Sequence, residues 1–152
     1  MVDIIEVAKR NREYSIEEQV IELKKRGFDI EEETGKIKYF NANVFVRFIT
    51  KEAYLIYTKD GYFYTFRGIV WEKLEEANLK RFLRIILHQP RYGLWTVNKE
   101  KEYLEALKLE VYHPCELNQD RNLVNLLNGT FNLDDYVLYG HSRLYSHKGR
   151  AY

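Results

Sequence analysis

An α+β domain is the fold class that the sequence predicts, and three observations predict it. Apolar residues recur at helical spacing before residue 35 and again over 75–110. Between these segments, aromatic and β-branched residues concentrate around Asp60-Gly61. A second turn dipeptide, Asn128-Gly129, separates two apolar runs near the C-terminus. Helical and strand segments are grouped, which favours α+β over a parallel α/β sheet. The expected order is N-terminal helices, a small antiparallel aromatic-rich β-meander, a two-helix middle and a C-terminal β-hairpin. Residues 1–35 read as a helical arm and 36–152 as one α+β domain.

The first helix is expected within 2–12, where Val2, Ile4, Ile5, Val7 and Ala8 recur at roughly helical spacing. Ser15 and Glu18 form a capping box for a second helix over 15–26, with Ile16, Val20 and Leu23 on one face and Gly27 at its end. NVFVRFIT and AYLIYT read as strands from their composition. Asp60-Gly61 then joins YLIYTK to YFYTFR as a hairpin, and Arg67-Gly68 turns the chain into Ile69-Val70-Trp71. Residues 75–88 make the clearest helix: Leu79, Phe82, Leu83 and Ile86 form its apolar stripe, and Pro90 stops it. Thr96 or Asn98 caps another helix over 97–110, with Tyr103, Leu104, Leu107 and Leu109 inward. The last strands are LVNLL, TFNL and VLY.

Composition narrows the function classes. With 45% hydrophobic and 31% charged residues the chain reads as a soluble globular protein. Its net charge of +1 means that any basic surface must come from local clustering. The lone cysteine, Cys115, excludes an internal disulfide and a cysteine-rich zinc site and fits a cytoplasmic setting. No run approaches 18 apolar residues, so no membrane partner is expected.

No phosphate-binding loop, dinucleotide fingerprint or nucleophile elbow occurs, so no catalytic residue, metal or cofactor is assigned to this chain. His141 and His147, with Asp134 and Asp135, offer imidazole and carboxylate for a small metal nuclease, but their spacing matches no compact ligand motif. His141 after Gly140 reads instead as a turn residue. Lys80, Arg84 and His88 are spaced by four on one helix face, with Arg81 and Arg91 nearby. Arg143, His147, Lys148 and Arg150 interleave with Tyr139, Tyr145 and Tyr152. Such basic-aromatic interleaving suits single-stranded nucleic acid, held by charge and stacking. Lys80, Arg81, Arg84, Arg91, Lys148 and Arg150 are therefore the expected DNA-binding residues, and Tyr62, Tyr64 and Trp71 the expected packing or interface residues.

Over residues 50–152 the chain resembles the segment that precedes the helicase domain in phage, plasmid and poxvirus primase-helicases. Asn128-Gly129 with Phe131-Asn132-Leu133, the turn Asp134-Asp135, the strand Val137-Leu138 and His141-Ser142 carry the likeness. Upstream, Tyr62-Phe63-Tyr64, Gly68-Ile69-Val70-Trp71 and the helix over 75–88 follow in the family's order. The family's proline beside its histidine is Gly140 here. The resemblance implies a non-catalytic collar or linker that guides single-stranded or forked DNA. It also implies a superfamily 3 helicase domain beyond Tyr152, supplying ATP and magnesium chemistry in a homo-hexamer. A stand-alone regulator with 75–110 as a helix-turn-helix-like pair is the alternative, although the Gln89–Thr96 connection is longer than that motif's turn.

Overall fold

The computed structural model describes residues 1–114, 117 and 121–144, and in it the chain is α+β. Helix α1 (Ile4–Lys9) starts where the Asp3 carboxylate accepts the Glu6 backbone N–H. Helix α2 (Ile16–Lys25) starts at Ser15, whose hydroxyl accepts the Glu18 N–H as the capping box requires. Strands β1 (Phe28–Ile30) and β2 (Ile37–Phe40) form an antiparallel pair that the sequence reading did not separate.

Helix α3 (Ala42–Glu52) corrects the reading of NVFVRFIT as a strand. The Asn41 side chain caps it by accepting the Asn43 N–H. Phe45, Val46 and Ile49 then fall on one buried stripe. Burial of that stripe outweighs the β preference of Val46, Phe48 and Ile49, since propensity is worth only fractions of a kcal/mol per residue, up to about 0.7.

Strands β3 (Leu55–Thr58), β4 (Phe63–Phe66) and β5 (Trp71–Leu74) form the expected meander, turning at Asp60-Gly61. Strand β6 (Tyr112–His113) adds to the far side of β3 in parallel, so the sheet order is β5-β4-β3-β6 and the sheet is mixed. All four residues of β4 are buried, so both faces of this sheet are covered. The second face carries a small cluster of Tyr64, Phe66, Trp71 and Leu117.

Helices α4 (Glu76–His88) and α5 (Val97–Glu110) sit where the periodicity puts them, and Thr96 caps α5 by accepting the Lys99 N–H. Leu87 joins the stripe of Leu79, Leu83 and Ile86, whereas Phe82 is only half-buried. Leu109 is 82% exposed and Ile16 is 77% exposed, so neither faces the core as the spacing suggested. Residues 1–35, read from the sequence as an arm, place Ile4, Val7, Leu23, Phe28 and Ile30 in the same core as α3, α4 and α5.

Strands β7 (Leu123–Leu126), β8 (Gly129–Asn132) and β9 (Val137–Tyr139) form a separate antiparallel sheet. Leu126 pairs with Gly129, so the two turn residues are Leu127 and Asn128, one position earlier than expected. Among the described residues no helix is long and apolar enough to cross a membrane.

Candidate nucleic-acid interface

A groove of about 950 Å³ opens between the segment after α1, the C-terminal half of α2, and α3. Its floor is organised by Arg26, whose side chain is only 3% exposed. The Arg26 Nε donates to the Ile86 carbonyl at 2.9 Å, and Nη2 donates to Gln89 Oε1 at 3.0 Å. Nη1 donates both to the Glu22 carbonyl at 3.0 Å and to Glu22 Oε2 at 2.7 Å. The guanidinium lies over the Phe48 ring, 4.5 Å from its centre. Gln89 then continues the network, donating through Nε2 to the Val7 carbonyl at 2.8 Å and the Arg10 carbonyl at 3.2 Å. One arginine and one glutamine thus fasten α1, α2 and α4 together beneath the groove.

The walls are cationic. Arg10, Arg12, Lys25, Arg26, Arg47 and Lys51 line the groove, against the carboxylates of Glu22 and Glu52. Arg10 pairs with Glu52 at 2.7 Å, Arg12 pairs with Glu18, and Lys25 pairs with Glu22 at 2.8 Å. Burial opposes the charge on Glu22, but hydrogen bonds from Lys25 and Arg26 outweigh it and hold the carboxyl below its ordinary range. Arg47 and Lys51 are exposed, one turn apart on α3, and form no ion pair among the described residues. Tyr14 and the half-buried Phe48 add aromatic surface between the cations.

The helix face singled out by spacing is partly committed to structure. Lys80 lies 3.8 Å from Glu76, and Arg81 is exposed on α4. The Arg84 guanidinium stacks over the Trp95 ring at 4.3 Å, and Arg91 Nη1 donates to the Gly35 carbonyl at 3.2 Å. Arg84, His88, Tyr92 and Trp95 come together around the α4–α5 connection, whereas the Arg91 side chain reaches Gly35. Lys148 and Arg150 lie outside the described residues. Tyr64 and Trp71 are buried packing residues, and the Trp71 Nε1–H donates to the Arg143 carbonyl at 3.1 Å. Tyr62 is exposed at the meander turn, with the Lys73 ammonium 3.5 Å from its ring centre.

The His141 ring Nε2 lies 3.1 Å from the Leu127 carbonyl in the β7–β8 turn, so the imidazole is engaged with the backbone, although residue 141 itself is not in a turn. Asp134 accepts from the Asn122 side chain, and Asp135 accepts the Val137 N–H. Among the described residues no three histidine, cysteine or acidic side chains come together as a metal site.

The connection after α4 contains a pH-sensitive bond. His88 Nε2 accepts the Trp95 backbone N–H at 3.0 Å, which places the imidazole proton on Nδ1. Burial, then the nearby Arg84 charge, holds the His88 pKa below its ordinary 6.5. The unfolded chain therefore binds this proton more readily than the folded one. The stabilisation is complete above the unfolded pKa and declines as pH falls through about 6.5 toward the lower folded value. Thermal unfolding compared at pH 7.5 and 5.5 should show a smaller loss for His88→Gln than for the parent chain; equal losses would mean that His88 contributes nothing.

The sequence reading missed the groove because its cations come from three separated segments and each group resembles ordinary helix-end charge. The available signal was the spacing of four between Arg47 and Lys51, visible only once 42–52 is treated as a helix. The sequence matches no protein-family model, and no curated protein matches it.

Proposed function

We propose that this protein is a non-catalytic domain that holds single-stranded DNA in the basic groove, as the accessory domain of a phage- or mobile-element-type replicative helicase. The observation that carries the binding role is the groove itself: six cationic side chains gather there against the three carboxylates of Glu18, Glu22 and Glu52, in a chain of net charge +1. Such focusing attracts a polyanion where the molecule as a whole does not. Arg47 and Lys51 are free to meet successive phosphates, while the Phe48 and Tyr14 rings, one face of each covered by Arg26 and Arg12, add apolar surface beside them. The helicase assignment rests on Tyr62-Phe63-Tyr64, Gly68 to Trp71, Asn128-Gly129 and His141 occurring in that family's order. In that setting ATP and magnesium belong to the helicase domain, and a homo-hexamer is the working assembly.

Binding to fluorescent single-stranded and duplex oligonucleotides across a salt series tests the proposal. Arg47→Ala with Lys51→Ala should lower single-strand affinity on the order of tenfold. It should also flatten the slope of log affinity against log salt by about 1.4, the release of two phosphate contacts. Lys80→Ala with Arg81→Ala serves as the comparison pair on α4. Unchanged affinity and slope in the α3 variant would overturn the groove assignment, and a larger effect at α4 would move the site there.

A further inference from the structure

Gln89 lines the groove, and the chain that follows it carries an unusual side chain. Tyr92 is 84% exposed, yet its ring is held. It packs against His88 with centres 5.0 Å apart and planes tilted by 55°. On one side Arg91 is anchored on the Gly35 carbonyl, and on the other Gly93 turns the backbone at φ +88°. Two residues, Pro90 and Arg91, separate Gln89 from Tyr92, so the two Cα atoms lie within about 11 Å of each other. Arg91 spends one N–H on Gly35, and a guanidinium has five to offer.

We infer that single-stranded nucleic acid leaving the groove passes Gln89 and stacks a base on Tyr92, with Arg91 on the adjoining phosphate, so that the binding track has a second contact station. This rests on the proposed role of the groove and adds the length of ligand the domain prefers. An exposed aromatic ring next in sequence to an arginine and close to a basic groove is the usual element of a single-strand stacking platform. Stacking on a ring needs an unpaired base, which a single strand offers and a duplex does not.

Two oligothymidylates separate the stations, one of roughly six nucleotides and one of roughly fifteen, spanning the site sizes common for such surfaces. Tyr92→Ala should weaken the longer ligand about tenfold and leave the shorter unchanged, and Tyr92→Trp should restore the longer. Arg47→Ala with Lys51→Ala should weaken both. If Tyr92→Ala alters neither ligand, or both equally, the second station is wrong while the groove still stands. If the α3 variant alters neither, the groove reading fails. The melting temperature of Tyr92→Ala, expected to match the parent because the ring is exposed, excludes a folding defect as the cause.

Discussion

Gly27→Ala should destabilise the domain by more than about 3 kcal/mol, the largest effect expected from so small a change. Gly27 closes α2 with φ +93°, a region where an L-residue costs about 1–2 kcal/mol. An added Cβ would also lie inside van der Waals contact of the Asn41 carbonyl, and close to the backbone of Phe45. That backbone cannot give way cheaply. The Asn41 N–H donates to the Gly27 carbonyl at 2.7 Å, while the Asn41 carbonyl starts α3 by accepting from Phe45. The end of α2 and the start of α3 are therefore joined back to back, and overpacking at such a joint adds about 1–3 kcal/mol. Gly35 provides the comparison: its φ is +68°, and a Cβ there meets nothing within 4 Å. Gly35→Ala should show the backbone cost alone. Denaturant unfolding of both variants checks this, and equal losses would mean that the contact with Asn41 is unimportant.

Arg26→Ala should cost about 3–5 kcal/mol, the usual result of removing one partner from a buried ion pair. Four hydrogen bonds disappear together, leaving the Gln89 side-chain oxygen without its donor and the Ile86 carbonyl with only the longer bond from the Gln89 N–H. For a domain of this size the melting temperature should fall on the order of 10 °C. Arg26→Lys keeps the charge but has no planar fork to reach Ile86, Glu22 and Gln89 at once, so most of the loss should remain. Gln89→Ala should be milder, and the double variant should lose less than the sum of the two, because the residues act as one network. Additive losses would show that Arg26 and Gln89 stabilise the fold independently. The groove depends on the same arrangement, so single-strand affinity should fall in step with stability at Arg26.

Those two residues also show what the sequence made legible. Helices α2, α4 and α5 could be read because their signals are local: Ser15 and Thr96 cap them, and Leu79, Leu83 and Ile86 recur at helical spacing. The Asp60-Gly61 turn is local for the same reason. Helix α3 reads as a strand because Val46, Phe48 and Ile49 favour strands, and the decisive factor is burial against α5, which lies far along the chain. In the sequence Arg26 is the third of three successive cations, after Lys24 and Lys25. Nothing nearby in sequence shows that its partners are Ile86 and Gln89. Arg84 and Arg91 were recognised as cations, but the Trp95 ring and the Gly35 carbonyl that hold them were not.

The parallel pairing of β6 with β3 has a consequence for how the chain acquires this fold. Tyr57 meets Tyr112 only after β4, β5, α4 and α5 have been threaded between them. Hairpins such as β3–β4 close in microseconds, because their ends are near in sequence. The β3–β6 ladder closes a far longer loop, and its entropic cost must be met before its few bonds form. Docking of β6 is therefore a late event, guided by an α5 already seated on α3. The contact of Phe45 with Tyr103 closes a loop just as long, so seating α5 on α3 is the costly step, and sealing the edge of the sheet follows it at little further cost.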